Sequence, residues 1–392
     1  MKLSEEYSIK VAALQSAEHQ LTVDLSKRIT PDIWLDVLIY FEHNLQQPSA
    51  AALYDALFEK GTDFAANVYL NEEDYSFFID KIRTILERYA AINPHAWVEL
   101  GLQHILCRRH VVDKEKASLY LKRGIDAGVE WARPLYLYYN YLGMLSAIDR
   151  DSAKAELDEL ALGGDRWGIA YAAHIDVWTD KYEEVFDRIQ VLKQSPERKL
   201  LRHYYEALQF YYARKEDKEK RLQTLEEGIA MAESRYCRFV LNEIKRAEAA
   251  SLIEQELLIP EYQELFEYGM MDAAVQIALI KLQVLGNDRL EKQDFEEPLW
   301  YLQKAYDYNN NYAGYRLACL YLYQNALQDI EKGLSLLHLL DERDNYVEAQ
   351  VELAEILLEG QFLPRNETSA FQRFSEMAEK NIAYAKLRLG NM

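Results

Sequence analysis

Cysteine is nearly missing from this chain of 392 residues: Cys107, Cys237 and Cys319 are its three, odd in number and far apart. That excludes a disulfide framework and fits a reducing compartment, so a cytoplasmic location is expected. Glycine (15) and proline (8) are scarce, which leaves few places where regular structure must break. Long apolar runs are missing too. The longest uncharged stretch, PLYLYYNYLGMLSAI at 134–148, is too short to cross a bilayer and is full of tyrosine. Charged and polar residues interrupt the opening MKLSEEYSIKVAALQSAEHQ, so no signal peptide is expected. Positive charge is in deficit, with 45 Lys and Arg against 65 Asp and Glu, net −20. Such a surface disfavours nucleic acid and anionic membranes, because phosphate contacts need unpaired Lys and Arg.

What is present favours helix. Leu, Ala, Glu, Lys and Gln are plentiful, and their intrinsic propensity is helical. With 49 % hydrophobic residues and a mean hydropathy of −0.33, the chain is a folded one. It is too long for one ordinary compact core, though not for an elongated repeat array. Charge is uneven: residues 1–95 carry 8 basic and 15 acidic groups, 96–250 carry 25 and 26, and 251–392 carry 12 and 24. The acidic C-terminal third could steer a basic partner.

The chain repeats. The pattern Ala-x-x-x-(Leu/Ile)-(Gly/Ala) opens at Ala96, Ala273, Ala313, Ala349 and Ala385, the last three 36 residues apart. Small residues at its ends let a neighbouring helix approach, and the branched residue between them packs in the seam. Four residues before a helix start stand Gly128, Gly164, Gly269, Asn309, Asn345 and Asn381. Gly and Asn tolerate the left-handed conformation just past a helix end, so these six are expected helix stops. Some 13–16 residues further back come candidate N-caps: Asp113, Asp151, Asp294, Asp329 and Asn366, with Asp180 and Asp217 opening two more helices. Each unit is therefore a helix A of about 12–16 residues from the Ala, a short loop, and a capped helix B. Seven or eight units are expected over 96–392, weakest at 196–268, where a longer helix A, a break at Pro260 and a short helix B are predicted. Residues 1–95 do not repeat cleanly. Helices are expected at 31–46, from Ser49 to Gly61, and from Asn71 to about Ala91, together forming a helical N-terminal cap or degenerate repeats.

Ala370-Phe371-x-x-Phe374-x-x-x-Ala378-Glu379-Lys380-Asn381-x-x-x-Ala385-x-x-x-Leu389-Gly390 resembles the Sel-one-like repeat, a relative of the tetratricopeptide repeat, and KASLYLKRGIDAG at 116–128 is similar to it. The resemblance covers 96–195 and 269–392 well and 196–268 poorly. It implies an all-α, right-handed α-solenoid of antiparallel helix pairs, with A helices lining the concave face. The sequence departs from the family in the short, glycine-poor A–B loop RRHVVDKEK. It also lacks the paired cysteines of secreted members. The marked residues are packing residues, so the resemblance speaks to fold more than to function. The final segment from Ala385 is read as the start of a further helix A that covers the last helix B, with Lys386 and Arg388 facing water.

No chemistry stands out. Cys107 has His104 and His110 beside it but no second pair of ligands at metal spacing, and no Gly-rich phosphate loop or nucleophile elbow occurs. No catalytic residue, cofactor or metal is expected. The aromatics are the better clue. With A helices on the concave side, Trp131, Tyr138 and Tyr141, then Trp167, His174 and Trp178, then Tyr312, Tyr315 and Tyr323 fall near one surface. Trp and Tyr are enriched at binding hot spots, but they also fill seams between repeats. The expected function is a non-catalytic scaffold or adaptor holding a protein or peptide partner, with Trp167→Ala or Tyr315→Ala weakening binding and leaving melting nearly unchanged. The alternative is an immunity-type or inhibitor protein that sequesters a basic partner. An enzyme or small-molecule binder, with a cleft around His95, Trp97 and His104, is the third reading. The sequence sets no oligomeric state.

Overall fold

A computed structural model describes residues 31–44, 70–145, 147–179, 181–286 and 290–391. Every regular element among them is helical, and no strand occurs among the described residues. None of the described helices is long and apolar enough to cross a membrane. The helices fall into two compact units, one of residues 1–249 with 267–269, the other of residues 250–266 with 270–392.

The first unit holds α1 (Pro31–Asn44), α2 (Glu72–Tyr89), α3 (His95–Ile105), α4 (Lys114–Asp126), α5 (Ala132–Tyr141), α6 (Arg150–Leu162), α7 (Arg166–Asp176), α8 (Tyr182–Ile189), α9 (Arg198–Arg214), α10 (Lys218–Ala232) and α11 (Arg235–Glu248). Each helix packs on the next from α2 to α11, and the alternate helices α5, α7, α9 and α11 also touch in series. This is a stack of antiparallel helix pairs, with α3, α5, α7, α9 and α11 as A helices. The second unit holds α12 (Leu252–Glu256), α13 (Ile259–Glu267, whose last residue falls to the first unit), α14 (Met271–Leu285), α15 (Glu296–Asp307), α16 (Asn311–Tyr323), α17 (Ile330–Glu342), α18 (Val347–Glu359), α19 (Glu367–Glu379) and α20 (Ala383–Asn391). From α14 onward it repeats the same pairing. Each unit is thus an all-α repeat stack of the α-solenoid kind.

All six expected stops are left-handed, with φ from +50° at Asn345 to +89° at Gly269. Four residues on, Ala132, Ala273, Ala313, Ala349 and Ala385 are wholly buried. At Gly168 a Cβ would lie 2.9 Å from Leu160 Cβ, so only glycine lets α6 and α7 approach this closely. Asp113, Asp217, Asp329 and Asn366 cap as expected, each accepting an amide hydrogen bond of 2.9–3.1 Å from the residue three on.

Two caps differ from expectation. The cap of α6 is Asp149, which accepts from Ser152 N at 2.9 Å, and Asp151 lies inside the first turn. Asp294 accepts from Glu291 N at 2.8 Å, closing a capping box on a 3-10 turn at Lys292–Phe295 that leads into α15. The A helices α3, α5 and α7 run 10–11 residues, shorter than expected.

The blurred stretch at 196–268 keeps the register with altered residues. Glu233 takes the left-handed stop (φ +50°) and wholly buried Cys237 takes the small position four residues later. Helix α11 ends at Glu248, and Pro260 sits in the first turn of α13 rather than breaking a helix, where its missing N–H costs nothing. Of the N-terminal expectations, α1 is seen over Pro31–Asn44, its expected last two residues lie outside the described residues, and α2 is capped by Asn71. Thr30, the helix from Ser49 to Gly61, and Asp180 lie outside the described residues. Arg108, buried after α3, ties α2 to the stack: its guanidinium lies 4.1 Å from the Tyr75 ring centroid and donates to Leu70 O at 2.7 Å. In the second unit α20 covers α18 and α19, with Ala385, Phe374 and Ala354 buried together.

Candidate partner-binding face

On α7 the residues Trp167, Tyr171, His174 and Trp178 follow at helical spacing, so they stand on one side of the helix and its end. His203, Glu206 and Phe210 do the same on α9. Trp131 and Tyr138 bracket the same side of α5, and Ser234 and Tyr236 begin α11. Because α5, α7, α9 and α11 lie side by side, these rows join. The ring of Trp131 is 6.2 Å from that of Trp167, and Trp167 is 6.0 Å from His203. Tyr171 meets Tyr138 and His203, both at 5.1 Å. Trp178 stands edge-on to Phe210 at 4.6 Å, and Phe210 reaches Tyr236 at 5.8 Å. His95 extends the row from α3, accepting from Trp131 Nε1 at 3.1 Å.

At the centre is a polar knot. His174 Nε2 and His203 Nδ1 share a hydrogen bond of 2.7 Å, and Glu206 Oε2 lies 3.8 Å from His174 Nε2. Ser234 donates from Oγ to Glu206 Oε1 at 2.8 Å, while its Oγ accepts from Cys237 N and so caps α11. The aromatic walls strip water from these groups. Burial pushes His174 down to about 4 and Glu206 up to about 7, and drives His203 well below the ordinary imidazole value, helped by His174, Lys199 and Arg202. The imidazoles are therefore neutral at pH 7. The knot is not sealed: the side chains of His174 and Glu206 keep 17 % and 15 % of their surface.

The structure places the nominated residues unevenly. Trp131 and Trp167 are 8 % and 6 % exposed, so they fill seams. The expectation that Trp167→Ala spares the melting transition does not fit such burial. Tyr138 and His174 are half-buried and join the knot, while Trp178 is 64 % exposed. Tyr141 is held elsewhere, under the Arg150 guanidinium at 4.4 Å. In the second unit, Tyr315 and Tyr323 on α16 both donate to Glu352 on α18, the former at 3.2 Å, and Tyr312 is exposed. Glu355, on the next turn, accepts from Tyr384 at 2.8 Å and from Arg388 Nε at 2.7 Å. Burial and Glu352 raise both Tyr315 and Tyr323 above the ordinary phenol value.

Sequence reasoning missed Tyr171, His203, Glu206 and Phe210. The last three lie in the stretch where the repeat marks blur, although His203-x-x-Glu206-x-x-x-Phe210 has helical spacing.

Of the suggested cleft, His95 is exposed and belongs to the row above, while Trp97 and His104 serve packing. His104 is buried, stacks on Tyr120 at 5.5 Å and is pushed down to about 4 by desolvation. Trp97, on the same helix, also stacks on Tyr120, at 5.8 Å. Cys107 is a buried thiol that accepts from Arg83 Nη2 at 3.5 Å and is raised to about 11 by burial, and His110 instead meets Glu72 at 2.9 Å.

No family model and no curated protein matches the sequence. Among solved structures the chain is similar to a Sel1 repeat protein from Oxalobacter formigenes, at 16 % identity over 97 % of this chain and 99 % of that one, with a TM-score of 0.33. It is also similar to c5321, a protective antigen of uropathogenic Escherichia coli strains displaying an SLR fold, at 15 % identity over 100 % and 82 %, with a TM-score of 0.39.

Proposed function

We propose that this repeat protein is a non-catalytic interaction scaffold, and that the aromatic–histidine face of α5, α7, α9 and α11 receives a segment of a protein or peptide partner. The observation that carries this reading is the contiguous row of Tyr138, His174, Trp178, Phe210 and Tyr236. It runs across four packed helices and offers both ring faces and hydrogen-bonding nitrogens. Such amphipathic surfaces supply contact area at little entropic cost. Residues 96–250 are almost neutral, with 25 basic and 26 acidic groups. Binding at this face is thus expected to rest on rings and hydrogen bonds and to survive high salt.

The test is a peptide-display selection on the intact protein, followed by affinity measurement against Trp178→Ala and Tyr138→Ala. A loss of about tenfold or more for Trp178→Ala, with unchanged melting, supports the face. Wild-type affinity in both variants removes it.

A second reading has its own observation, the 12 basic against 24 acidic groups of residues 251–392. There the protein sequesters a basic partner, as an inhibitor or immunity-type protein does. Charge steering then makes the association rate fall steeply between low and physiological salt. A rate indifferent to salt rejects that reading.

A further inference from the structure

The geometry points to a divalent transition-metal site at the centre of the aromatic face, with His174 Nε2, His203 Nδ1 and one Glu206 carboxylate oxygen as ligands. Among the described residues these are the one group of three or more such side chains whose ligand atoms come together, all within 4.8 Å of one another. Two imidazoles and one carboxylate leaving a fourth position open is a donor set that suits zinc and its neighbours. Calcium and magnesium prefer all-oxygen shells.

The distances are near those a metal needs. Ligand nitrogens about 2.0–2.1 Å from a tetrahedral zinc lie roughly 3.4 Å apart. His174 Nε2 stands 2.7 Å from His203 Nδ1 and 3.8 Å from Glu206 Oε2, one spacing shorter and one longer than that. Small χ rotations close the difference. The supporting shell is in place as well. Ser234 holds Glu206 Oε1 at 2.8 Å, which leaves Oε2 toward the imidazoles, and Ser234 is itself fixed as the cap of α11. The shared hydrogen bond means that one of the two facing nitrogens carries a hydrogen, which an incoming ion must displace. The nitrogen that carries the shared hydrogen yields it to solvent, and the ring takes one up at its other nitrogen.

Other groups around the knot set the strength of binding. Tyr138 and Tyr171 wall it from α5 and α7, Lys199 and Arg202 stand on α9, and Cys237 lies on α11. The two cations oppose a further positive charge, so affinity is moderate rather than extreme.

The inference is independent of the partner-binding reading, because the isolated chain suffices to test it. Zn2+ is titrated into the full-length protein by calorimetry, and Co2+ binding is followed by visible absorption. The expected result is one ion per chain, with binding lost in His203→Gln and Glu206→Gln. Ser234→Gly, which keeps a residue suited to the cap, is expected to weaken binding about tenfold. A second readout needs no variant: the imidazole 15N resonances of His174 and His203 shift to a metal-bound pattern on adding Zn2+. Equal binding to wild type and both ligand variants places the ion elsewhere and overturns the proposal. So does an absence of 15N shifts at millimolar Zn2+.

Discussion

Trp167 and Trp178 differ by eleven positions on one helical side, yet they do different jobs. Trp167 is enclosed by Trp131, Tyr171 and His203. Truncating it to Ala leaves a cavity, with an expected loss of about 3–5 kcal/mol in chemical denaturation. Trp178 stands largely in water, and Trp178→Ala is expected to change stability by less than about 0.5 kcal/mol. His104 gives a pH signature. Its folded pKa of about 4 lies below the ordinary 6.5, through desolvation first and then Arg83. On acidification the unfolded chain therefore takes up a proton before the folded one. Stability is complete above pH 6.5 and falls by about 3 kcal/mol as pH drops through the window to 4. His104→Phe keeps the stack on Tyr120 and removes the titration. Its denaturation midpoint is expected to fall less than that of the wild type between pH 7 and pH 4.5.

At the scale of the element, the helix stops govern how much could be read in advance. Six left-handed positions were legible because Gly or Asn occupies them, and the helix pairs followed from those marks. The seventh was hidden because Glu233 occupies it. A glutamate in that conformation carries strain, since its Cβ crowds the following carbonyl. Glu233→Gly is expected to stabilise α10 and α11 by about 0.5–1 kcal/mol, after loss of the exposed ion pair with Arg198. An unchanged or lower urea midpoint refutes that. The candidate site suffered from the same concealment. Tyr138, His174 and Trp178 carry recognisable marks on helices α5 and α7. Their partners His203 and Glu206 sit 29 and 32 residues beyond His174 in sequence, on a helix whose opening small residue is replaced by Leu200. Nothing in linear spacing joins them, because the contact is made by A-to-A packing of separate repeats. Asp151 failed as a cap for a simpler reason: Asp149, two residues earlier, competes for the same role and wins.

For the whole molecule, helices that touch only their near neighbours confine the effect of a mutation. Phe374 is buried with Ala354, Met377 and Ala385. Phe374→Ala is expected to speed amide exchange in α18, α19 and α20 while leaving α5, α7 and α9 at wild-type protection. Uniform acceleration over both sets means that the chain unfolds as one cooperative body. The charge distribution works at this scale also. Salt is expected to act mainly through residues 251–392, where acidic groups outnumber basic ones two to one.

The left-handed asparagines at 309, 345 and 381 fall at equal intervals, each with the same small residue four places on. They are matching splice points. A copy of residues 310–345 inserted after Asn345 finds an asparagine before its first helix, as Asn310 does now, and ends on the existing Asn345–Tyr346 joint. The left-handed stop is thus preserved at both backbone joints, and lengthening the array by one helix pair leaves only the packing of the copy on α16 and α17 to be adjusted.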